Sequence, residues 1–165
     1  MIATGRNVQC LNTTPRIVGA WIGYNVASAA LAGGVTGAAS CAISSDAETA
    51  IGVISDAAIG GIGGAAGGAV GGLITSIPVP VFDILGGMAG AQVSTRVANK
   101  LCKRETTDTD RAVANGLGFT TGLIGEFSGE IADPWLLGAS SGLSTSLVNL
   151  LQRVSDASER PPNNY

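Results

Sequence analysis

Glu126 and Glu130, one helical turn apart, are the pair of side chains in this sequence best spaced to do chemistry. Inside a membrane, two such carboxylates could share a proton or bind a cation. Near a membrane surface, beside Asp133, the same pair is simply solvated; its place within two turns of a helix end leans toward that reading. Asp56, close to the start of its own apolar stretch, is read the same way. Little else in the chain carries reaction chemistry. There is no histidine, which removes the commonest general base and metal ligand. The many serines therefore cannot form a Ser-His-Asp triad. Cys10, Cys41 and Cys102 lie far apart with no CxxC spacing, so a zinc site is not expected, and an odd number points to free thiols. The glycines contain no GxxxxGK[ST] and follow no strand, so they form no phosphate loop. We assign no catalytic, cofactor-binding or metal-binding residue and expect a protein that is not an enzyme and needs no cofactor.

The element that must position everything else is the glycine run from Ile59 to Leu73. Its glycine pairs recur every four residues. Collagen needs a period of three and a strand a period of two. At about 100° per residue, Gly60, Gly63, Gly64, Gly67, Gly68, Gly71 and Gly72 share one half of a helix. Ile59, Ile62, Val70 and Leu73 occupy the other half. Glycine in a helix costs roughly 1 kcal/mol relative to alanine, so such a helix would melt in water. A bilayer enforces it, because the backbone has no water to bond. The bare glycine face then lets another helix approach backbone to backbone.

Composition agrees with a membrane protein. Hydrophobic residues make up 45% of the chain and charged ones 13%, about half the usual charged share. A net charge of −3 argues against a nucleic-acid partner. We read 1–16 as a polar tail, 17–152 as a helical membrane domain and 153–165 as a second polar tail. Residues 17–45 carry no charge and are long enough to cross a bilayer, with Trp21 and Tyr24 near the start and Asn25 the one strongly polar side chain. Ser45, with Glu48 three residues on, suits a capping box for the next helix, which Pro78 and Pro80 end. In 84–104, Gln92, Thr95, Arg96, Asn99, Lys100 and Lys103 share one face and Val93, Val97 and Leu101 the other, the pattern of an amphipathic segment lying in an interface. A short span with snorkelling lysines fits as well. In 112–132, Gly118, Gly122, Gly125 and Gly129 align. In 136–152, Leu136, Leu143, Leu147 and Leu150 form one stripe, and Gly138, Ser141, Gly142, Thr145 and Asn149 form the other.

The expected fold is all-α: a polytopic bundle of about four spans in two hairpins (17–44 with 51–77, and 112–132 with 135–152), packed by glycine zippers. The amphipathic segment lies between the hairpins. This arrangement puts every lysine and arginine on one side, as the positive-inside bias requires. If 84–104 also spans, the basic loop at 103–111 moves to the opposite side.

Gly60 to Gly72, the run Asp83–Gly90, and Asp133-Pro134-Trp135 followed by Gly138 and Gly142 together resemble the Tim-type translocase superfamily of mitochondria, which includes an accessory subunit of respiratory complex I. The resemblance implies an inner-membrane location and a non-catalytic structural subunit. Its partners would be other membrane subunits and the lipid bilayer, docked on the glycine faces at Gly60–Gly72, Gly118, Gly122, Gly138 and Gly142. The glycine run also resembles that of colicin-V-type bacteriocins, and phage ejection proteins share such hairpins, so a pore-forming or membrane-inserting agent is a second expectation. A translocase component is a third; it would need a polar cavity, for which Glu126, Glu130 and Asn25 are the candidates.

Overall fold

A computed structural model of the chain describes residues 7–79, 81–128 and 133–159. These form five helices: α1 (Asn7–Ile43), α2 (Ala50–Thr75), α3 (Val81–Leu101), α4 (Asp108–Ser128) and α5 (Asp133–Glu159), with no strand among the described residues. Two stretches are long and apolar enough to cross a membrane, Arg16–Ile43 and Ala50–Thr75.

The helix boundaries follow from local chemistry. Thr49 is the N-cap of α2 and accepts a hydrogen bond from the Gly52 N–H at 3.2 Å. Ser45, expected in that role, lies too early; its hydroxyl donates to the Asp56 carboxylate at 2.5 Å. Helix α3 ends in a Schellman turn: the Arg104 N–H bonds the Asn99 carbonyl at 2.8 Å and the Lys103 N–H bonds that of Lys100 at 3.1 Å. Lys103 takes the left-handed conformation, φ 57°, that this turn demands. Thr107 and Asp110 cap α4 reciprocally, each side chain taking the other's backbone N–H. Pro134 falls in the first turn of α5, where its missing N–H costs no helical bond. Helical structure extends into both polar segments. Helix α1 begins at Asn7 and α5 runs to Glu159, because extending an existing helix by a residue costs far less than starting one.

Close approaches fix the direction of each helix. Gly60, Gly64, Gly68 and Gly72 of α2 meet Gly37, Gly33, Ala29 and Asn25 of α1, in reverse order. On the adjoining side of α2, Gly63, Gly67 and Gly71 meet Ala98, Gly90 and Gly86 of α3. Gly118 and Gly122 of α4 meet Gly87 and Ile84 of α3. Gly138 and Gly142 of α5 meet Ala29 and Gly37 of α1, this time in parallel. The five helices therefore alternate in direction, and α5 touches all four others.

The segment between the hairpins is thus no surface strap. Helix α3 is a full member of the bundle between α2 and α4, and its polar face divides by size. Ser94, Thr95 and Asn99 point inward and are buried, while Arg96 and Lys100 stay exposed. This changes the distribution of charge. The links after α1 and after α3, together with Arg153 of α5, lie at one end of the bundle. That end holds Lys100, Lys103, Arg104, Arg111 and Arg153. Arg16 lies toward the other end, where α2 meets Asn25.

The interior is the reverse of a water-soluble core. Besides Leu137, Val148, Pro134, Cys41 and Asp110, it holds alanine, serine, threonine, asparagine and glycine. Leu31, Val35, Ile54, Ile62, Leu73, Leu143, Leu147 and Leu150 are exposed.

Candidate functional site

Two features combine position with chemistry: the glycine seam through the middle of the bundle and a polar cluster at its Arg153 end. The buried residues of α2 are all glycines: Gly60, Gly63, Gly64, Gly67, Gly68, Gly71 and Gly72. A Cβ on Gly72 would lie 2.6 Å from the Asn25 carbonyl oxygen, and one on Gly67 2.6 Å from the Ser94 Cβ. One on Gly64 would lie 2.7 Å from the Gly33 carbonyl carbon and 3.1 Å from the Gly142 Cα, so three backbones converge there. Gly118, Gly122, Gly138 and Gly142 are equally enclosed, at 2.6 Å from the Gly87 carbonyl carbon, 2.5 Å from the Ile84 Cα, 2.8 Å from the Ala29 carbonyl carbon and 2.5 Å from the Gly37 nitrogen. The seam is therefore filled by the chain's own helices, and these glycines are not left open for other subunits. Among the described glycines, the pair Gly19 and Gly23 of α1 has the same spacing without a neighbour: a Cβ on either would meet nothing within 4 Å.

Beside the seam, hydroxyls close on backbone carbonyls and on each other. Ser94 Oγ donates to the Ser141 carbonyl at 2.6 Å and lies 2.6 Å from Thr145 Oγ1; Ser40 and Ser146 are bonded directly. Small hydroxyl side chains suit a tightly packed interior because most find an acceptor within one turn or one helix away; the buried Thr95 hydroxyl is the exception and has no hydrogen-bond partner among the described residues. Asn25 is buried, with its amide nitrogen 3.4 Å from Ser76 Oγ and its Oδ1 unbonded. The Glu126 side chain and all of Glu130 lie outside the described residues.

The polar end was not foreseen as a unit. Asp110 is buried at 3% exposure, with no cation on its carboxylate among the described residues. Its oxygens accept from Asn99 Nδ2 at 3.1 Å, Gln152 Nε2 at 3.0 Å and the Thr107 N–H at 2.9 Å. Gln152 in turn accepts from Arg104 Nη1 at 3.0 Å. These residues flank a cavity of about 390 Å³ whose floor is Val113, Val148 and Leu151 and whose rim includes Arg104 and Glu105. On the α1–α2 side, Arg153 donates to the Ser44 carbonyl and pairs with Asp46 at 2.8 Å and Asp56 at 3.8 Å. Cys41 and Cys102 line a small polar recess between the two clusters. Burial pushes the Cys102 thiol up; nearby Arg104 pulls it down less, and Asp56 and Cys41 add to the rise. The thiol stays protonated at neutral pH and is a poor nucleophile. The sequence did hold one signal for this end, Thr107-x-x-Asp110, a capping pattern. The arrivals of Asn99 and Gln152 from other helices had none. No family model, curated protein or solved structure matches this chain, so the geometry carries the argument for function.

Proposed function

We propose that this chain is a non-catalytic structural subunit of a larger membrane assembly, inserted as a glycine-seamed bundle. The exposed leucines, isoleucines and valines suit lipid, and the small polar interior suits helices that cannot rely on hydrophobic contrast to associate. On this reading α1 and α2 are the crossing hairpin. Helices α3 to α5 cross with it by hiding Ser94, Thr95, Asn99, Ser141 and Thr145 from lipid. Five passes put the cluster Lys100 to Arg111 and Arg153 on the untranslocated side. The exposed aromatics Trp21, Tyr24, Phe119 and Trp135 then sit at the opposite interface.

The observation that carries the subunit role is the unoccupied face at Gly19 and Gly23. Two helical glycines here cost about 1 kcal/mol each, with no return inside the chain. Their neighbours Ile17, Val18, Trp21 and Tyr24 are all exposed. A partner helix would recover that cost as it is recovered at Gly60–Gly72. The resemblance to the Tim-type superfamily would make the assembly a mitochondrial inner-membrane complex, with respiratory complex I the first to examine.

The test is purification from native membranes in mild detergent, for the wild type and for Gly23→Leu. The isolated variant bundle should melt level with the wild type or slightly higher, and it should lose the co-purifying subunits. A wild-type chain that emerges alone in the aqueous fraction and permeabilises liposomes would replace this reading with that of a membrane-inserting agent.

A further inference from the structure

We propose that the cavity between the start of α4 and the end of α5 binds the headgroup of an aminophospholipid, with its phosphate on Arg104 and its primary ammonium on Glu105. The inference rests on the membrane reading above and adds a specific lipid to it.

The cavity has the shape of such a ligand's chemistry. At about 390 Å³ it is at the small end of ligand sites. Its floor of Val113, Val148 and Leu151 is apolar and continues along α5 to the exposed Leu147 and Leu150, which would face acyl chains. Its rim carries one cation, Arg104, and beside it the carboxylate of Glu105. The other acid on the rim, Asp110, is spent: its oxygens already take three neutral donors. Those bonds have a consequence for Arg104. Asp110 takes the amide nitrogen of Gln152, which turns the Gln152 oxygen toward Arg104. One guanidinium nitrogen is thereby held through Gln152 by a buried anchor, and Arg104 lines the cavity, so the other donors of its fork could hold a phosphate there by charge-assisted bonds. Arg104 has no acidic partner among the described residues, so its charge is available. An anionic headgroup such as phosphatidylglycerol would satisfy Arg104 but bring no cation to offset Glu105. A choline headgroup offers Glu105 no N–H. A headgroup with both phosphate and primary ammonium satisfies the pair.

The experiment uses the full chain in nanodiscs or detergent, with native mass spectrometry and thermal shift as readouts. The probes are phosphatidylethanolamine, phosphatidylcholine and phosphatidylglycerol, with soluble phosphoethanolamine as the headgroup alone. Phosphatidylethanolamine should bind roughly three- to tenfold tighter than phosphatidylcholine, the scale of a partly screened charge-assisted bond. E105Q should abolish that preference while leaving phosphatidylcholine binding unchanged, and R104Q should weaken both lipids. Helicity and melting without lipid check that both variants fold. Equal binding of the two zwitterionic lipids, tightest binding of phosphatidylglycerol, or a soluble headgroup binding as well as the lipid would each overturn the proposal. A wild-type chain that does not enter bilayers would instead overturn the membrane reading, before lipid choice arises.

Discussion

Replacing Gly64 by alanine tests the packing argument at its tightest point. In an isolated helix the change is favourable by about 1 kcal/mol. In the bundle the new methyl lies against the Gly33 carbonyl on one side and the Gly142 Cα, at 3.1 Å, on the other. Neither neighbour is a flexible side chain that could swing away, so α1 and α5 must both back off. Overpacking of this kind costs about 1–3 kcal/mol, occasionally more. Separating helices that meet only through backbone also weakens their neighbouring contacts, which moves the estimate to the upper part of that range. After subtracting the propensity gain, we expect a net loss of about 1–2 kcal/mol. For a chain of this size that is a melting temperature lower by roughly 2–8 °C. Gly116→Ala is the matched control: it has the same chemistry on an exposed face where a Cβ meets nothing within 4 Å. It should melt level with the wild type or up to about 4 °C higher. Thermal unfolding in one detergent, followed by circular dichroism, compares them. If Gly64→Ala and Gly116→Ala melt together, the glycine seam does not hold the bundle and the argument built on it is wrong.

Three further expectations come from the Arg153 end. Lys103→Gly should stabilise the chain by about 1 kcal/mol, read as a higher melting temperature, because glycine holds the left-handed turn without the Cβ penalty that lysine bears. Asn99→Ala should destabilise by about 1–3 kcal/mol in the same assay, since it removes one of three donors from the buried Asp110 carboxylate. Cys102 should react with iodoacetamide more slowly than an unfolded control at pH 8, because its raised pKa leaves less thiolate. The sign for stability follows. The unfolded thiol loses its proton first, so the contribution of Cys102 is intact below its ordinary pKa near 9.0 and is lost as pH rises through it. A Cys102→Ser chain should therefore show a flatter fall in melting temperature above that pH than the wild type.

What the sequence made legible was a periodicity, and what it hid was a pairing. The four-residue spacing in Ile59–Leu73 implies both the helix and its bare face, because only backbone geometry enters that step. It does not say which backbone fills the face. Gly64 could as well have met a foreign helix as Gly33, and the structure gives it Gly33 and Gly142. The stripe in α5 was readable for the same reason: Gly138, Ser141, Gly142 and Thr145 are buried and Leu143, Leu147 and Leu150 exposed. In α3 one polar face holds two environments, which residue type alone does not separate. Thr95 and Asn99 sit on the same side as Arg96 and Lys100, yet a short side chain can turn inward from the edge of a face where a long cation snorkels out. Asn99 turns inward because Asp110, from the next helix, is there to accept its bond.

The place of α3 decides orientation. With α3 lying on a surface, four spans gather all the basic residues with the N-terminal arm. With α3 running through the bundle, the same residues divide, and Lys100, Lys103, Arg104, Arg111 and Arg153 stand opposite Arg16. If all five helices cross, the positive-inside bias would place the start of α1 on the translocated side, the inverse of the four-span arrangement. The two topologies differ in one accessible observable. Single cysteines at Gln9 and at Lys103, in a background with the native cysteines replaced by serine, label from the same side of a sealed vesicle if four helices cross. They label from opposite sides if five do. A bundle whose helices alternate through α3 requires the second result, and labelling from a common side would mean that α3 does not travel with its neighbours through the membrane.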